Sequence, residues 1–274
     1  MKNLTSRWGR IVSGLAAMLC GVATAVLAAE PSQPYVDVNG DGHFQSKVDR
    51  LITVSDLTAN TTFSIDDGGL VIPAGVEVDT NEMHLSVLGD VTVRGTVNAY
   101  STASIESRTG SITIAPNGVF WAANAPLLSA AKNVVVRPEG TAAVEFDTLT
   151  LQALNGSVTI CPNASLFGGQ TIQLIANSSV KLQRGSLASA GNVVVTSAGS
   201  VFAMGAQLEC QASNISSQNG SISFHGGSIM PFDVSSAGPY IFWAPAPKAT
   251  IDLRGDDGPT NLLQPSAPNG KVME

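Results

Sequence analysis

The sequence predicts an all-β fold: a right-handed parallel β-helix (solenoid) of about eight rungs with an N-terminal cap. Three observations support this prediction. Short apolar pairs recur in aligned columns, glycine occupies fixed points of each unit, and charged residues make up only 13% of the chain. Ordinary globular proteins contain about 25% charged residues, so the composition does not favour a helical surface covered with charge.

Two apolar columns, two residues apart, share one period of 21 to 24 residues. An i, i+2 spacing rich in Val and Ile is typical of β-strands. A unit this short cannot bury its own apolar face, whereas stacked units align their columns into one core. The first column is Leu70, Val91, Ile112, Val134, Val158, Val180, Val201 and Ile222, and the second is Ile72, Val93, Ile114, Val136, Ile160, Leu182, Ala203 and Phe224.

Two further columns and two rows of glycine follow the same period. An antiparallel β-sandwich is the alternative fold, but it does not explain four columns in one register. We predict that the glycines adopt left-handed backbone angles at the turns; one row begins at Gly68 and the other at Gly75. The third column is Val76, Val97, Val119, Val144, Leu166, Leu187, Leu208 and Ile229, and the fourth is Met83, Ile105, Leu127, Leu149, Ile172, Val193 and Ile215.

Residues 68–230 resemble the repeats of filamentous-haemagglutinin-type adhesins. The segments that carry the resemblance are 110–114, 156–160, 191–195 and 220–224, each of which begins with glycine and continues with alternating apolar residues. Residues 89–95 are also similar to bactofilin-like polymers. The resemblance implies a parallel β-helix with an adhesive or structural role.

Residues 1–29 have the order of a secretory signal peptide. Lys2, Arg7 and Arg10 precede a charge-free run from Ile11 to Ala29, which ends in small residues before Glu30. This order predicts export to the periplasm, the outer surface or the extracellular space. An uncleaved anchor is the alternative, because the run could nearly span a bilayer.

The exported chain is expected to be strongly acidic. Without residues 1–29 it carries 11 Lys and Arg against 21 Asp and Glu, a formal charge of −10. An acidic surface repels phosphates, so the composition argues against a nucleic-acid partner.

Residues 30–67 are predicted to form the N-terminal cap and contain a segment that resembles the calcium loop of EF-hands and dockerins. Oxygen-bearing side chains alternate and glycine follows at position six, but Val48 occupies position twelve, where the family has an acid. The resemblance implies a calcium site, and a polar turn is the alternative. The implied ligands are Asp37, Asn39, Asp41, His43 through its backbone carbonyl, and Asp49, which lies one residue late.

The rest of the cap and the C-terminal end are predicted from weaker patterns. Either a short helix with Phe44, Val48, Leu51 and Ile52 on one face or a strand from Leu51 to Val54 covers the first rung. Residues 231–274, rich in Pro and Gly, read as a strap to about Leu253 and then a disordered tail. Their aromatic residues are predicted to pack on the last rung, with an exposed sugar-binding platform as the alternative: Tyr240, Phe242 and Trp243.

The sequence does not favour catalysis. Asp66 and Asp67 open the first rung, and paired carboxylates can hydrolyse glycosides, but later rungs offer no acids beside them, so a capping turn is expected. Cys161 and Cys210 fall on different corners and are not expected to pair. The prediction is therefore a non-enzymatic secreted or cell-envelope solenoid that presents a structural or adhesive surface to a glycan or protein polymer.

Two alternatives remain at this point. One is a β-helix protein that binds or degrades polysaccharide. The other concerns assembly, because unpaired strand edges at the ends of the rod favour end-to-end self-association.

Overall fold

A computed structural model describes residues 30–58, 62–233, 237–255 and 263–273. It confirms a nearly all-β parallel solenoid, of about nine turns rather than eight. The predicted signal peptide lies outside the described residues, and the right-handed sense of the coil stays a prediction. Among the residues described, no helix is long and apolar enough to cross a membrane.

The strands form two sheets. Sheet A has 12 strands: β1 (Tyr35–Asp37), β2 (Arg50–Leu51), β4 (Gly69–Ile72), β7 (Val91–Val93), β9 (Ile112–Ile114), β11 (Val134–Val136), β14 (Val158–Ile160), β17 (Val180–Leu182), β19 (Val201–Met204), β21 (Ile222–His225), β24 (Thr250–Asp252) and β26 (Lys271–Met273). Sheet B has 14 strands: β3 (Phe63–Ile65), β5 (Glu77–Thr80), β6 (Met83–Val87), β8 (Thr96–Ser107), β10 (Val119–Ala130), β12 (Thr141–Val144), β13 (Thr148–Ala153), β15 (Ser165–Phe167), β16 (Thr171–Ala176), β18 (Leu187–Ser197), β20 (Gln207–Ser217), β22 (Ser228–Met230), β23 (Tyr240–Trp243) and β25 (Leu263–Ser266).

A typical turn contributes one strand to sheet A and two segments to sheet B. In the fifth turn these are β14, then β15, then β16, and each pairs in parallel with its counterparts in the turns before and after. Sheet B has two arms. We call the side that contains β5, β12, β15 and β22 its first arm, and the side that contains β3, β6, β13, β16, β23 and β25 its second arm. The longer strands β8, β10, β18 and β20 run through both arms. Side chains alternate between the core and the surface along each segment, as the pleat of a strand requires.

The first two predicted columns are confirmed residue by residue, because the eight sheet A strands from β4 to β21 pair in the predicted register. The third and fourth columns are wrong at several positions. Phe120 takes the buried place that we assigned to Val119, and Leu128 takes that of Leu127. Ala142 takes the column position that we assigned to Val144, which is buried two residues further along the same strand. The arms of sheet B vary in length, so the inward position shifts by one or two residues between turns.

The two glycine rows have different structural reasons. Left-handed angles occur in the second row, at Gly75 (φ 77°), Gly185, Gly205 and Gly226. The first row does not adopt them, nor do Gly95, Gly118 and Gly140 of the second row, which corrects the prediction for these glycines. There glycine permits close backbone approach, since a Cβ on Gly199 would lie 1.8 Å from the carbonyl oxygen of Ser178.

The N-terminal cap differs from both arrangements that the sequence favoured. Strand β1 pairs antiparallel with β4 and with β2, and so covers the first edge of sheet A. The only helix described, α1 (Val54–Leu57), begins after Thr53, which forms a reciprocal capping box with Asp56. The predicted strand from Leu51 to Val54 is therefore shorter and starts one residue earlier.

The solenoid continues beyond residue 230, where we predicted a strap and a disordered tail. Strands β23 and β25 extend sheet B, and β24 and β26 extend sheet A, all in parallel. The step from Ile222 to Ile251 is 29 residues, which hides the period, but the next step, to Val272, is 21. Pro265 lies in β25, the last strand of its sheet, where a missing N–H is tolerated.

Candidate functional site

The predicted calcium loop lies between β1 and β2 and is closed by the carboxylate of Asp37. One oxygen of this carboxylate accepts the amide of Gly40 at 2.8 Å, and the other accepts the amide of Gly42 at 2.8 Å. Asp37 is only 6% exposed. Because Gly40 and Gly42 both have positive φ, the chain can turn back tightly on this side chain.

Asp49 belongs to the same loop despite its late position in the motif. Its Oδ1 accepts the amide of Val38 at 3.0 Å, and its Oδ2 accepts the amide of Gln45 at 2.6 Å. The side chain is 8% exposed. The structure therefore brings Asp37 and Asp49, the first and last predicted ligands, to one loop.

Asn39 and Asp41 lie on the outer, exposed part of the loop. Asn39 Nδ2 donates to Asp41 Oδ2 at 3.0 Å, and Gln45 Nε2 also donates to that oxygen. The other oxygen of Asp41 accepts the amide of His43 at 2.8 Å. This backbone hydrogen bond is the main reason why the pKa of Asp41 lies below its usual value.

Two side chains, Tyr35 and Arg94, tie the loop to the rest of the structure. The hydroxyl of Tyr35 donates to the carbonyl of Gly42 at 3.1 Å, and Arg94 in the second turn donates to the same oxygen at 2.7 Å. Arg94 also forms an ion pair with Glu30. Burial, followed by the charges of the neighbouring carboxylates, raises the pKa of Tyr35 to about 12.

The residues of this loop fit calcium in part. Hard oxygen ligands are present in Asp37, Asn39, Asp41 and Asp49, and backbone carbonyls lie among them. Within the described ranges, no three Asp, Glu, His or Cys side chains come together as a metal cluster. A calcium ion here would therefore depend on Asn39 and on backbone carbonyls such as that of His43 as well as on carboxylates.

The acidic pair at the first rung is divided between two arginines. Asp66 pairs with Arg108, and Asp67 pairs with Arg50 at 3.1 Å. Each carboxylate therefore has its own cation on an exposed surface. The arrangement fits the predicted structural turn, in which the two acids hold neighbouring segments together.

The remaining predicted groups are structural. Cys161 and Cys210 are both buried free thiols, as expected from their different corners. Tyr240 and Phe242 are buried in the core as predicted, but the prediction is wrong for Trp243, which points outward with 42% exposure. The hydroxyl of Tyr240 donates to the carbonyl of Cys210 at 3.0 Å, which satisfies the one polar atom of that side chain.

The sequence analysis missed an exposed aromatic surface on four consecutive turns. Tyr100 is 60% exposed, Phe146 58% and Phe167 41%, and the half-buried Trp121 contacts Tyr100. We call these four residues the aromatic strip. Phe167 follows the predicted column residue Leu166, so its outward position could have been predicted from the alternation of the strand. Trp121 follows Phe120, whereas the predicted column had Val119 at this place, so the same signal missed it.

No protein-family model matches the chain, and no curated protein or solved structure matches it either. The likeness to filamentous-haemagglutinin-type adhesins therefore reaches no further than a β-solenoid fold.

Proposed function

We propose that the protein is exported and acts outside the cytoplasm as a rigid rod that presents a structural or adhesive surface. The observation that supports this most is the uninterrupted stack of about nine turns, which makes a rod of roughly 40 Å at about 4.8 Å per turn. One core runs through all the turns, so the outward side chains hold fixed positions along the rod.

The expected partner is a polymer of the cell surface or the extracellular space, either glycan or protein. The formal charge of −10 without residues 1–29 makes nucleic acid an unfavourable partner. Catalysis is not part of the proposal, because the acidic pair at the first rung is engaged by Arg50 and Arg108.

Calcium is proposed as a stabiliser of the N-terminal cap. The carboxylates of Asp37 and Asp49 already accept backbone amides of the loop that they close. A bound cation would neutralise their mutual repulsion and hold β1 and β2 against the first edge of sheet A.

End-to-end association is proposed as a secondary property of the rod. The outermost strands are β2 and β26 in sheet A and β3 and β25 in sheet B. Unpaired strand edges accept further strands, so these edges are the proposed contact surfaces between copies of the chain.

Protease treatment of intact cells tests the proposed location. Cells that produce the protein with a C-terminal epitope are treated with a protease that does not enter them, and a cytoplasmic protein serves as the control. We expect the epitope to be lost from intact cells, or from cells with a permeabilised outer membrane if the protein is periplasmic. An epitope that becomes accessible only after complete lysis would contradict the proposal.

A further inference from the structure

We propose that the aromatic strip binds a neutral polysaccharide whose chain lies along the axis of the solenoid. The inference rests on the proposed function, and it assigns the site and the class of the ligand. Exposed aromatic patches on a protein surface mark interaction sites, and the strip carries the most exposed tyrosine and phenylalanine side chains of the first five turns.

The spacing of the strip matches an extended sugar chain. In the first arm of sheet B, Trp121 pairs with Ala143, and Ala143 pairs with Phe167. The two rings are therefore two turns apart, roughly 10 Å, which is about the length of a disaccharide. The small side chain of Ala143 in the turn between them leaves a depression in the surface. A sugar ring can lie in this depression while its neighbours stack on the two aromatic rings.

The corner next to this arm carries the other two aromatic residues of the strip. The rings of Tyr100 and Trp121 meet edge to face, with centroids 5.8 Å apart and planes at 66°. Phe146 lies further along the axis, where its amide donates to the carbonyl of Ala123 in the turn before it at 3.0 Å. Flat apolar rings can stack on the C–H faces of sugars, while the adjoining ring edges hold the platform in place.

Polar groups for sugar hydroxyls lie at the first end of the strip. Asn98 pairs in register with Trp121, and its Nδ2 donates to Glu77 at 3.2 Å and to Asp79 at 2.9 Å. The Oδ1 of Asn98 and the remaining lone pairs of both carboxylates can accept hydrogen bonds from hydroxyl groups. A platform of rings beside an acceptor cluster suits a ligand with C–H faces and many hydroxyl donors.

The charge around the strip selects against acidic ligands. Along the first arm, the outward positions between β5 and β22 include Glu77, Asp79 and Glu209 but no Lys or Arg. This field repels polyanionic glycans. The same carboxylates and the formal charge of −10 without residues 1–29 also oppose a second copy of the chain meeting the strip face to face.

Calorimetric titration with hexasaccharides tests the site. The purified protein is titrated with cellohexaose and chitohexaose as neutral probes and with hexagalacturonate as the acidic probe. We expect a neutral probe to bind and the acidic probe not to bind. Trp121→Ala and Phe146→Ala should each weaken the neutral probe roughly tenfold, whereas Trp243→Ala, at an exposed tryptophan of the second arm, should leave its affinity unchanged.

Phe146→Ala separates a loss of the binding site from a loss of folding, because this ring is 58% exposed and its removal leaves the core intact. The site assignment is overturned if no neutral probe binds, if the acidic probe binds better, or if Trp243→Ala abolishes binding. A wild-type dimer that Trp121→Ala converts to a monomer would show that the strip is a protein interface instead. If the epitope is accessible on cells but the purified protein binds no oligosaccharide, this inference is wrong and the proposed function stands. If the purified protein binds oligosaccharide but the epitope is found only in the cytoplasm, the proposed function is wrong and the binding site stands.

Discussion

Asp37 and Asp49 hold one loop from its two ends. Asp37 accepts the amides of Gly40 and Gly42, while Asp49 accepts the amide of Val38, the residue next to Asp37. Twelve residues separate the two carboxylates in sequence, yet both are almost fully buried in the cap. Burial of like charges is unfavourable unless each is hydrogen-bonded or neutralised, and the loop supplies the hydrogen bonds.

Calcium is expected to raise the melting temperature of the protein through this loop. A ligand at one hundred times its Kd stabilises the folded state by about 2.7 kcal/mol. Asp37→Ala and Asp49→Ala should remove the calcium-dependent shift in a thermal unfolding experiment, and Glu106→Gln, an exposed acid on sheet B, should keep it. An equal shift in all four proteins would place calcium elsewhere.

Leu174→Ala is expected to destabilise the solenoid by about 2–5 kcal/mol. The side chain is fully buried and pairs in register with Leu151 and Val195 in the adjacent turns. Gln173→Ala is the matched control, because its side chain points outward from the same strand, and it should change stability by no more than about 0.5 kcal/mol. Denaturant unfolding measures both, and equal effects would contradict the assigned register.

Gly199→Ala tests the close approach in the first glycine row. The added Cβ would lie 1.8 Å from the carbonyl oxygen of Ser178, so the two turns must separate. We expect a loss of about 1–3 kcal/mol. Ser178→Ala is the control, because Ser178 holds the equivalent position of the repeat one turn earlier and already carries a side chain there. This substitution should leave the free energy of unfolding nearly unchanged. A tolerated Gly199→Ala would show that the turns are less tightly stacked there.

The stability of the cap should depend on the ionisation of Tyr35 at high pH. Its pKa is raised to about 12 in the folded protein, from 10.0 for an ordinary tyrosine. The folded state thus favours the neutral phenol. The contribution of the neutral phenol to the free energy of unfolding is complete below pH 10 and is lost as the pH rises towards 12. Tyr35→Phe cannot ionise and should lose less stability over that interval, which urea unfolding at several pH values would measure.

The inward columns of sheet A could be predicted because three-residue strands lie between turns of nearly constant length. The arms of sheet B are less regular, and small residues such as Ala142 and Ala188 fill several of their core positions. Alanine does not stand out in a hydrophobic pattern, so the sequence favoured the larger Val144 over Ala142 and the larger Leu187 over Ala188. At the C-terminal end, a 29-residue step conceals turns whose core includes Phe242 and Ile251.

The loop at Asp37 was predictable from spacing, but the way in which Asp49 reaches it was not. That contact depends on the turn from Gln45 to Asp49, in which the amides of Val48 and Asp49 donate to the carbonyl of Gln45. The aromatic strip has a simpler signal. Phe167 follows the predicted column residue Leu166, so alternation places it on the surface, whereas Trp121 follows Phe120, which takes the place predicted for Val119, and its outward position did not follow from the predicted column.

We propose that the protein binds an extracellular polymer without altering it. Beads coated with the protein are incubated with the isolated envelope and extracellular polymer of the native host, and bead retention and polymer size are measured together. We predict that beads are retained, that Trp121→Ala reduces retention and that polymer size does not change. Beads that pass through freely would contradict the claim of binding, and shortened polymer would show that the protein is an enzyme.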